Sequence, residues 1–281
     1  MTKKVAIMEQ ENFIESWLLP CSLRSHRTAN PTPKNVLRHF SALPTHHPYG
    51  GGDTMKNVGD MICLKYDLDD ERVKYLICTD EILGKLIKYI GSSELVIEKD
   101  GFKCLVKYIV GQQISDKARE TIWQRICTTF GNVTPELMFS ISDSNLRGAG
   151  LSSNKVKYIK TLAEGIIEKR INFEELQTLS NKEIVTKLTA LKGIGQWTAE
   201  MYLIFSLGRE NVLSKGDGTI RRTIQWMYNL TELPSSKVLA EYFVNWSEYA
   251  TIVSSYLWKS VALGLIQNPF NKTILGQEDN I

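Results

Sequence analysis

Asp217 stands between two glycines in "SKGDGTIRR", so little side-chain bulk shields its carboxylate from an incoming molecule. Upstream, "LKGIGQWTAEMYL" (191–203) places Gly193 and Gly195 one residue apart at a chain reversal. Glycines at such a turn leave backbone N–H groups bare at the start of the following helix, where the helix dipole favours an anion. That arrangement accepts a phosphate, and Lys192 adds a positive charge beside it. Trp197 follows the turn at once, and an indole face attracts a desolvated cation by ~1–2 kcal/mol. An anion grip, an aromatic face and an approachable carboxylate are the parts on offer. The plainer alternatives are an ordinary helical hairpin for the glycines and a simple N-cap for Asp217.

The elements around these residues are legible. Ser180 followed by Glu183 is a capping box that starts a helix at about residue 181. Ile184, Val185, Leu188 and Leu191 share one face of it. Gly193 and Gly195 stop it, because glycine tolerates the positive φ that a tight reversal needs. Trp197, Met201, Ile204 and Phe205 then mark the inner face of a second helix, giving a helix-hairpin-helix at about 181–207. From about residue 69 onward the rest of the chain also repeats helical spacing, as in "DDERVKYLICTDEILGKLIKYIG" and "DGFKCLVKYIVGQQISDKARETIWQRICTTFG". The stretch "MICLKYDLD" (61–69) is the one doubtful strand, so the expectation is an all-α fold.

Composition sets outer bounds. The chain has 281 residues, 43% hydrophobic and 23% charged, which suits a globular protein with a real core. No apolar run approaches the ~18 residues of a membrane span. Glu9, Glu11 and Glu15 interrupt any signal-like stretch, so an intracellular location is expected. The five cysteines are scattered without a CxxC, which reads as reduced thiols with neither a disulfide framework nor a cysteine metal site. A net charge of +3 means that a polyanion must be met by a local patch. Residues 1–54 hold all four histidines and five of the eight prolines, and read as a flexible N-terminal extension before a helical domain over 55–281. Met55 is an alternative start for the compact part.

"LTALKGIGQWTAEMYL" with the downstream "VLSKGDGTIRR" resembles the helix-hairpin-helix and aspartate of base-excision DNA glycosylases. Within that superfamily the similarity is to the 3-methyladenine DNA glycosylase II family. It extends through "IVGQQISDKA" (109–118), "LRGAGLSSNKVKYIKTLA" (146–163) and "YLWKS" (256–260), and covers roughly residues 70–265. The resemblance implies a two-lobed fold with a DNA cleft between the lobes, and a partner in double-stranded DNA carrying damaged bases. It implies Asp217 as the catalytic residue that stabilises an oxocarbenium-like sugar or orients water. It places Trp197, Met201 and Trp258 in a base pocket. Gly193, Gly195, Lys192, Thr198, Gln112, Gln113 and Ser115 would contact DNA, with Gln113 as the side chain wedged into the vacated space. A monovalent cation held by the backbone of 191–195 is also implied, with no metal bound by side chains, no organic cofactor and a monomeric enzyme.

Trp197 occupies the place where lyase-type members carry a catalytic lysine, so the expected enzyme hydrolyses the base away and leaves an intact abasic site. Met201 and Gly218 depart from the tyrosine and the aromatic found in some members, which leaves a wider pocket. The small N-terminal β domain of some members has no counterpart in this reading. "LRGAGLSSNKVKYIK" repeats the hairpin pattern superficially and reads as structural, with Lys155, Lys157 and Lys160 either near DNA or on a solvated face. Two alternatives remain beside this reading. One is a glycosylase of the same fold for oxidised or deaminated bases; the other is a non-catalytic DNA-binding module, which needs neither Asp217 nor Trp197.

Overall fold

The computed structural model describes residues 56–58 and 61–275, so the expected extension over 1–54 and the alternative start at Met55 lie outside the described residues. Short polar side chains prepare most helix starts. Asp70 accepts from the amide of Arg72 ahead of α1 (Glu71–Thr79), Asp80 from Leu83 ahead of α2 (Glu81–Ile90), and Asp100 from Lys103 ahead of α3 (Gly101–Gly111). Ser115 caps α4 (Asp116–Phe130), and Thr134 with Pro135 at the first helical position starts α5 (Pro135–Ser140). Ser142 and Ser152 cap α6 (Asp143–Gly148) and α7 (Ser153–Ile167), and Asn172 caps α8 (Phe173–Thr178). The expected capping box of Ser180 and Glu183 opens α9 (Asn181–Thr189).

The next helix breaks the pattern. α10 (Gln196–Phe205) follows Gly195 with no side-chain cap. Asp217 caps α11 (Gly218–Met227) and Ser235 caps α12 (Ser236–Tyr242). α13 (Ala250–Ala262) also lacks a side-chain cap, but it continues directly from a 3-10 segment, Val244–Tyr249.

The helical fold carries one addition. β1 (Lys56–Val58), β2 (Met61–Tyr66) and β3 (Ser93–Glu98) form an antiparallel sheet in the order β1-β2-β3, with Val58 opposite Met61 and Tyr66 opposite Ser93. β2 is the doubtful strand of the sequence. In β3, Ser93, Leu95 and Ile97 point inward and alternate with half-buried neighbours. Its three consecutive apolar residues hide that two-residue period among helices.

α3 is buried along nearly its whole length, from Phe102 to Val110, as is α13 from Ala250 to Leu257. A helix buried on nearly all sides belongs at the centre of a packing layer, and each large apolar side chain buried there contributes about 1.5–3 kcal/mol. α3 packs against α4, α7 and α10, while α13 packs against α2, α11 and Val244–Tyr249. β3 touches α3, α10 and α13, and so joins the two sets. Trp197 on α10 comes from the first set, and Asp217 at the head of α11 and Trp258 on α13 come from the second.

Candidate active site

The turn after α9 is built from two unlike glycines. Gly193 has φ +96°, and a β-carbon there would lie 2.0 Å from the ring of Tyr158 on α7. Conformation and close approach both demand glycine. Gly195 has φ −88° and ψ 175°, ordinary extended backbone, and a β-carbon there would meet nothing within 4 Å. The expectation that both glycines supply positive φ therefore holds for Gly193 alone. Gly195 is the N-cap of α10 and brings no side-chain acceptor to the helix's first amides. Without a side-chain cap, those N–H groups have no partner from the cap residue. Lys192 is exposed beside them.

A second loop is tied to this turn. The Gln112 side-chain amide, just past α3, donates to the Gly193 carbonyl (2.8 Å) and to the Thr198 hydroxyl (3.0 Å). Gln112 thus acts as a strut, and Thr198, 2% exposed, has no side chain left for the DNA contact expected of it. Its backbone amide remains, in the first turn of α10. The next residue, Gln113, is exposed with φ +57°, and Ile114 beside it is also exposed. Ser115 is exposed but engaged as the cap of α4. From below, Lys155 donates to the Val110 carbonyl (2.7 Å), which takes it out of the candidate DNA-facing lysines. Burial accordingly pulls its pKa down. Lys160 pairs with Asp143 (2.7 Å), and Lys157 is exposed. Of the carbonyls in the expected cation stretch, Leu191 accepts from Ile194 (3.1 Å) and Gly193 from Gln112 (2.8 Å). Each keeps one lone pair, an all-oxygen set that suits a hard monovalent ion.

Asp217 divides its two oxygens. Oδ1 accepts from the amides of Thr219 and Ile220, both at 2.9 Å, and so caps α11. Oδ2 accepts from the indole N–H of Trp197 at 2.9 Å, and the Trp258 indole lies 3.4 Å from Oδ1. The plain N-cap and the chemically placed carboxylate are thus the same side chain. Asp217 is only 8% exposed, more enclosed than its glycine neighbours suggest, because two indoles from α10 and α13 close over it. Gly216 and Gly218 keep open space on either side, where a β-carbon would find no atom closer than 3.6 Å.

Two further aromatics complete a belt that sequence reasoning did not assemble. Tyr108 on α3 meets Trp197 edge-on (5.9 Å between centroids) and stacks on Phe205 (5.2 Å), which in turn lies 5.5 Å from Trp258. The belt runs Trp197–Tyr108–Phe205–Trp258 and closes through Asp217. Such pairs add about 0.5–1.5 kcal/mol each beyond burial and hold the rings in place. Burial pushes the Tyr108 hydroxyl well above its ordinary pKa, so it stays a donor. The signal available was Tyr108 itself, directly before "IVGQQ". Met201, expected in the pocket wall, is 2% exposed and packed in the core one turn further along α10. A cleft of about 300 Å³ lies elsewhere, between α9, α10 and residues 211–213; Gln196 and Glu200 line it but Asp217 does not.

Residues 106–248 match the HhH-GPD superfamily of base excision DNA repair proteins. The chain is 31% identical over 197 residues to DNA-3-methyladenine glycosylase 1 of Schizosaccharomyces pombe, covering 68% of this chain and 86% of that one. Among solved structures it is similar to a DNA-3-methyladenine glycosidase from Bacillus halodurans, with a TM-score of 0.65, 36% identity and coverage of 75% and 99%. It is also similar to the S. pombe 3-methyladenine DNA glycosylase in complex with abasic DNA, with a TM-score of 0.65, 30% identity and coverage of 68% and 97%. The chain belongs to the HhH-GPD superfamily of base excision repair proteins.

Proposed function

We propose that this protein is a monofunctional DNA glycosylase that hydrolyses the N-glycosidic bond of alkylated purines, of the 3-methyladenine and 7-methylguanine type, in double-stranded DNA. The observation that carries the reading is the Asp217 carboxylate bonded to the indole of Trp197 (2.9 Å), two residues from the uncapped start of α10. One short segment so offers a phosphate grip, an aromatic face and an anion. The relatives named above, with their 3-methyladenine activity and the abasic-DNA complex of one of them, support the substrate class and DNA as the partner.

The target nucleotide leaves the stack at a cost of roughly a few kcal/mol. The first amides of α10, with Lys192, hold a backbone phosphate, while Gln113, with Ile114 next to it, enters the duplex. Trp197 and Trp258, backed by Phe205 and the buried Tyr108, receive the base, and their π faces favour one that carries alkylation's positive charge. As the glycosidic bond breaks, its electron pair stays on the purine, which becomes neutral, and positive charge builds on the sugar. Asp217 faces that charge. Water then adds its oxygen to the anomeric carbon and loses a proton to Asp217 or to solvent. Trp197, an indole where an amine would attack, cannot form an imine, so the strand stays whole. The enzyme works as a single chain inside the cell.

The test is release of 3-methyladenine and 7-methylguanine from methylated duplex DNA, read by chromatography. The wild type should free both bases, and Asp217→Asn should bind an abasic-site duplex yet release bases about 10²–10³-fold more slowly. Strand cleavage by the wild type without added alkali would remove the monofunctional reading. Undiminished release by Asp217→Asn would remove Asp217 from the chemistry.

A further inference from the structure

Glu200 is a buried carboxylate to which the steps above give no task. It sits on α10 three residues after Trp197, and it is 5% exposed. Its Oε2 accepts from the Ser214 hydroxyl (2.7 Å) and its Oε1 from the Gln196 side-chain amide (2.8 Å). Ser214 is itself fully buried, and its carbonyl accepts the backbone amide of Asp217 (3.1 Å). That bond closes the turn 214–217, which carries the reacting carboxylate. α10 therefore grips the turn at both ends: the Trp197 indole holds Asp217, and Glu200 holds Ser214.

Taking a carboxylate out of water is costly, and an apolar side chain would fill the space more cheaply. Burial pushes the Glu200 carboxyl above its ordinary value, with the Ser214 and Gln196 bonds pulling the other way. A group kept at that cost, and aimed at a hydroxyl in the turn, sets geometry.

We infer that Glu200 is a positioning residue for base excision: its bond to Ser214 fixes the 214–217 turn and so holds Asp217 against Trp197 and in line with the everted nucleotide. The inference rests on the glycosylase reading for its kinetic consequence, though the geometric part stands apart from activity. A displacement of about 1 Å in a catalytic group can cost 10²-fold in rate.

The experiment compares wild type, Glu200→Ala, Glu200→Gln and Ser214→Ala below the melting temperature of each. Single-turnover release of 7-methylguanine, affinity for an abasic-site duplex, and hydrogen exchange at the Trp197 indole N–H are measured for all four. Glu200→Ala and Ser214→Ala should release base about 10- to 100-fold more slowly while duplex affinity stays near the wild-type value. Glu200→Gln keeps a carbonyl oxygen for the Ser214 hydroxyl and should recover most of the rate. The Trp197 indole proton should exchange faster in both alanine variants and at the wild-type rate in Glu200→Gln. Unchanged release in a folded Glu200→Ala overturns the inference, as does a loss of rate and affinity in equal measure. If the wild type releases no base, the glycosylase reading fails, and indole exchange alone decides the positioning role: no acceleration in either alanine variant refutes it.

Discussion

Two turns of this chain look alike and end in opposite ways. "LRGAG" (146–150) leads into α7 and "LKGIG" (191–195) into α10. Matching the letters sets Gly150 against Gly195. The structure matches them differently, by backbone: Gly150 (φ +109°) corresponds to Gly193 (φ +96°). Buried Leu151 then corresponds to Ile194, and Ser152 to Gly195. Both cap residues have the same extended backbone, φ −71° and ψ 156° for Ser152 against φ −88° and ψ 175° for Gly195. At the first turn the Ser152 hydroxyl accepts from the Lys155 amide; at the second the Gly195 cap offers no side-chain acceptor to the Thr198 amide. A glycine of positive φ and a buried aliphatic make the turn. The cap residue then decides whether the helix's amides are satisfied from within or left for a ligand.

Further along, the same register sets Asn154 against Trp197 and exposed Lys157 against buried Glu200. One turn is closed on itself and the other carries the parts that the proposed chemistry needs.

The largest effect that separates the turns should come from what only the second one reaches. Asp217→Asn, assayed by base release, should lose about 10²–10³-fold, whereas Asn154→Ala on the closed turn should leave release unchanged. Next come the paired glycines. Gly193→Ala must bear a positive φ and a clash with Tyr158, so thermal unfolding should show a loss of about 3 kcal/mol or more. Gly150→Ala meets the Arg125 guanidinium and the Ile122 side chain at 3.3 Å, a far looser contact, and should cost about 1–2 kcal/mol. Equal losses would break the distinction.

Exchanging the caps sharpens it. Gly195→Ser places a hydroxyl on the α10 amides, so duplex affinity should fall while stability rises by a few tenths of a kcal/mol. Ser152→Gly should lose a similar few tenths and bind DNA as before. The smallest effect concerns pH. The raised Glu200 carboxyl keeps its proton longer in the native chain than in the unfolded one. Stability therefore falls as pH rises from the usual glutamate range through the raised value. Glu200→Gln should flatten that slope in melting curves across mildly acidic to neutral pH, and Lys157→Gln should not.

The hairpin was legible because its signals are local: the Ser180–Glu183 box, the helical spacing on either side, and the glycines of the turn. The pairing of Trp197 with Asp217 was legible only as a motif, since no local period connects residues that far apart. What stayed hidden is long-range. Gln112 reaching Gly193 and Thr198, and Tyr108 lying against Trp197, depend on how α3 crosses α10, which side-chain periodicity does not encode. β3 was missed because Leu95, Val96 and Ile97 run together without alternation, between two strongly helical stretches. The motif set Thr198 against DNA and Met201 in the base pocket; the buried inner side of α10 claims both, as the helical spacing already indicated for Met201.

The Gln112 strut has a mechanical corollary. It bolts the loop bearing Gln113 to the 193–198 turn, so under the proposed function the distance between the plug and the phosphate clamp is set by the protein. A two-point tool of fixed spacing, as proposed, puts the distortion on the nucleic acid. Lesions flanked by easily kinked pyrimidine–purine steps should then be repaired faster than the same lesions inside a stiff A-tract, without one base edge being read.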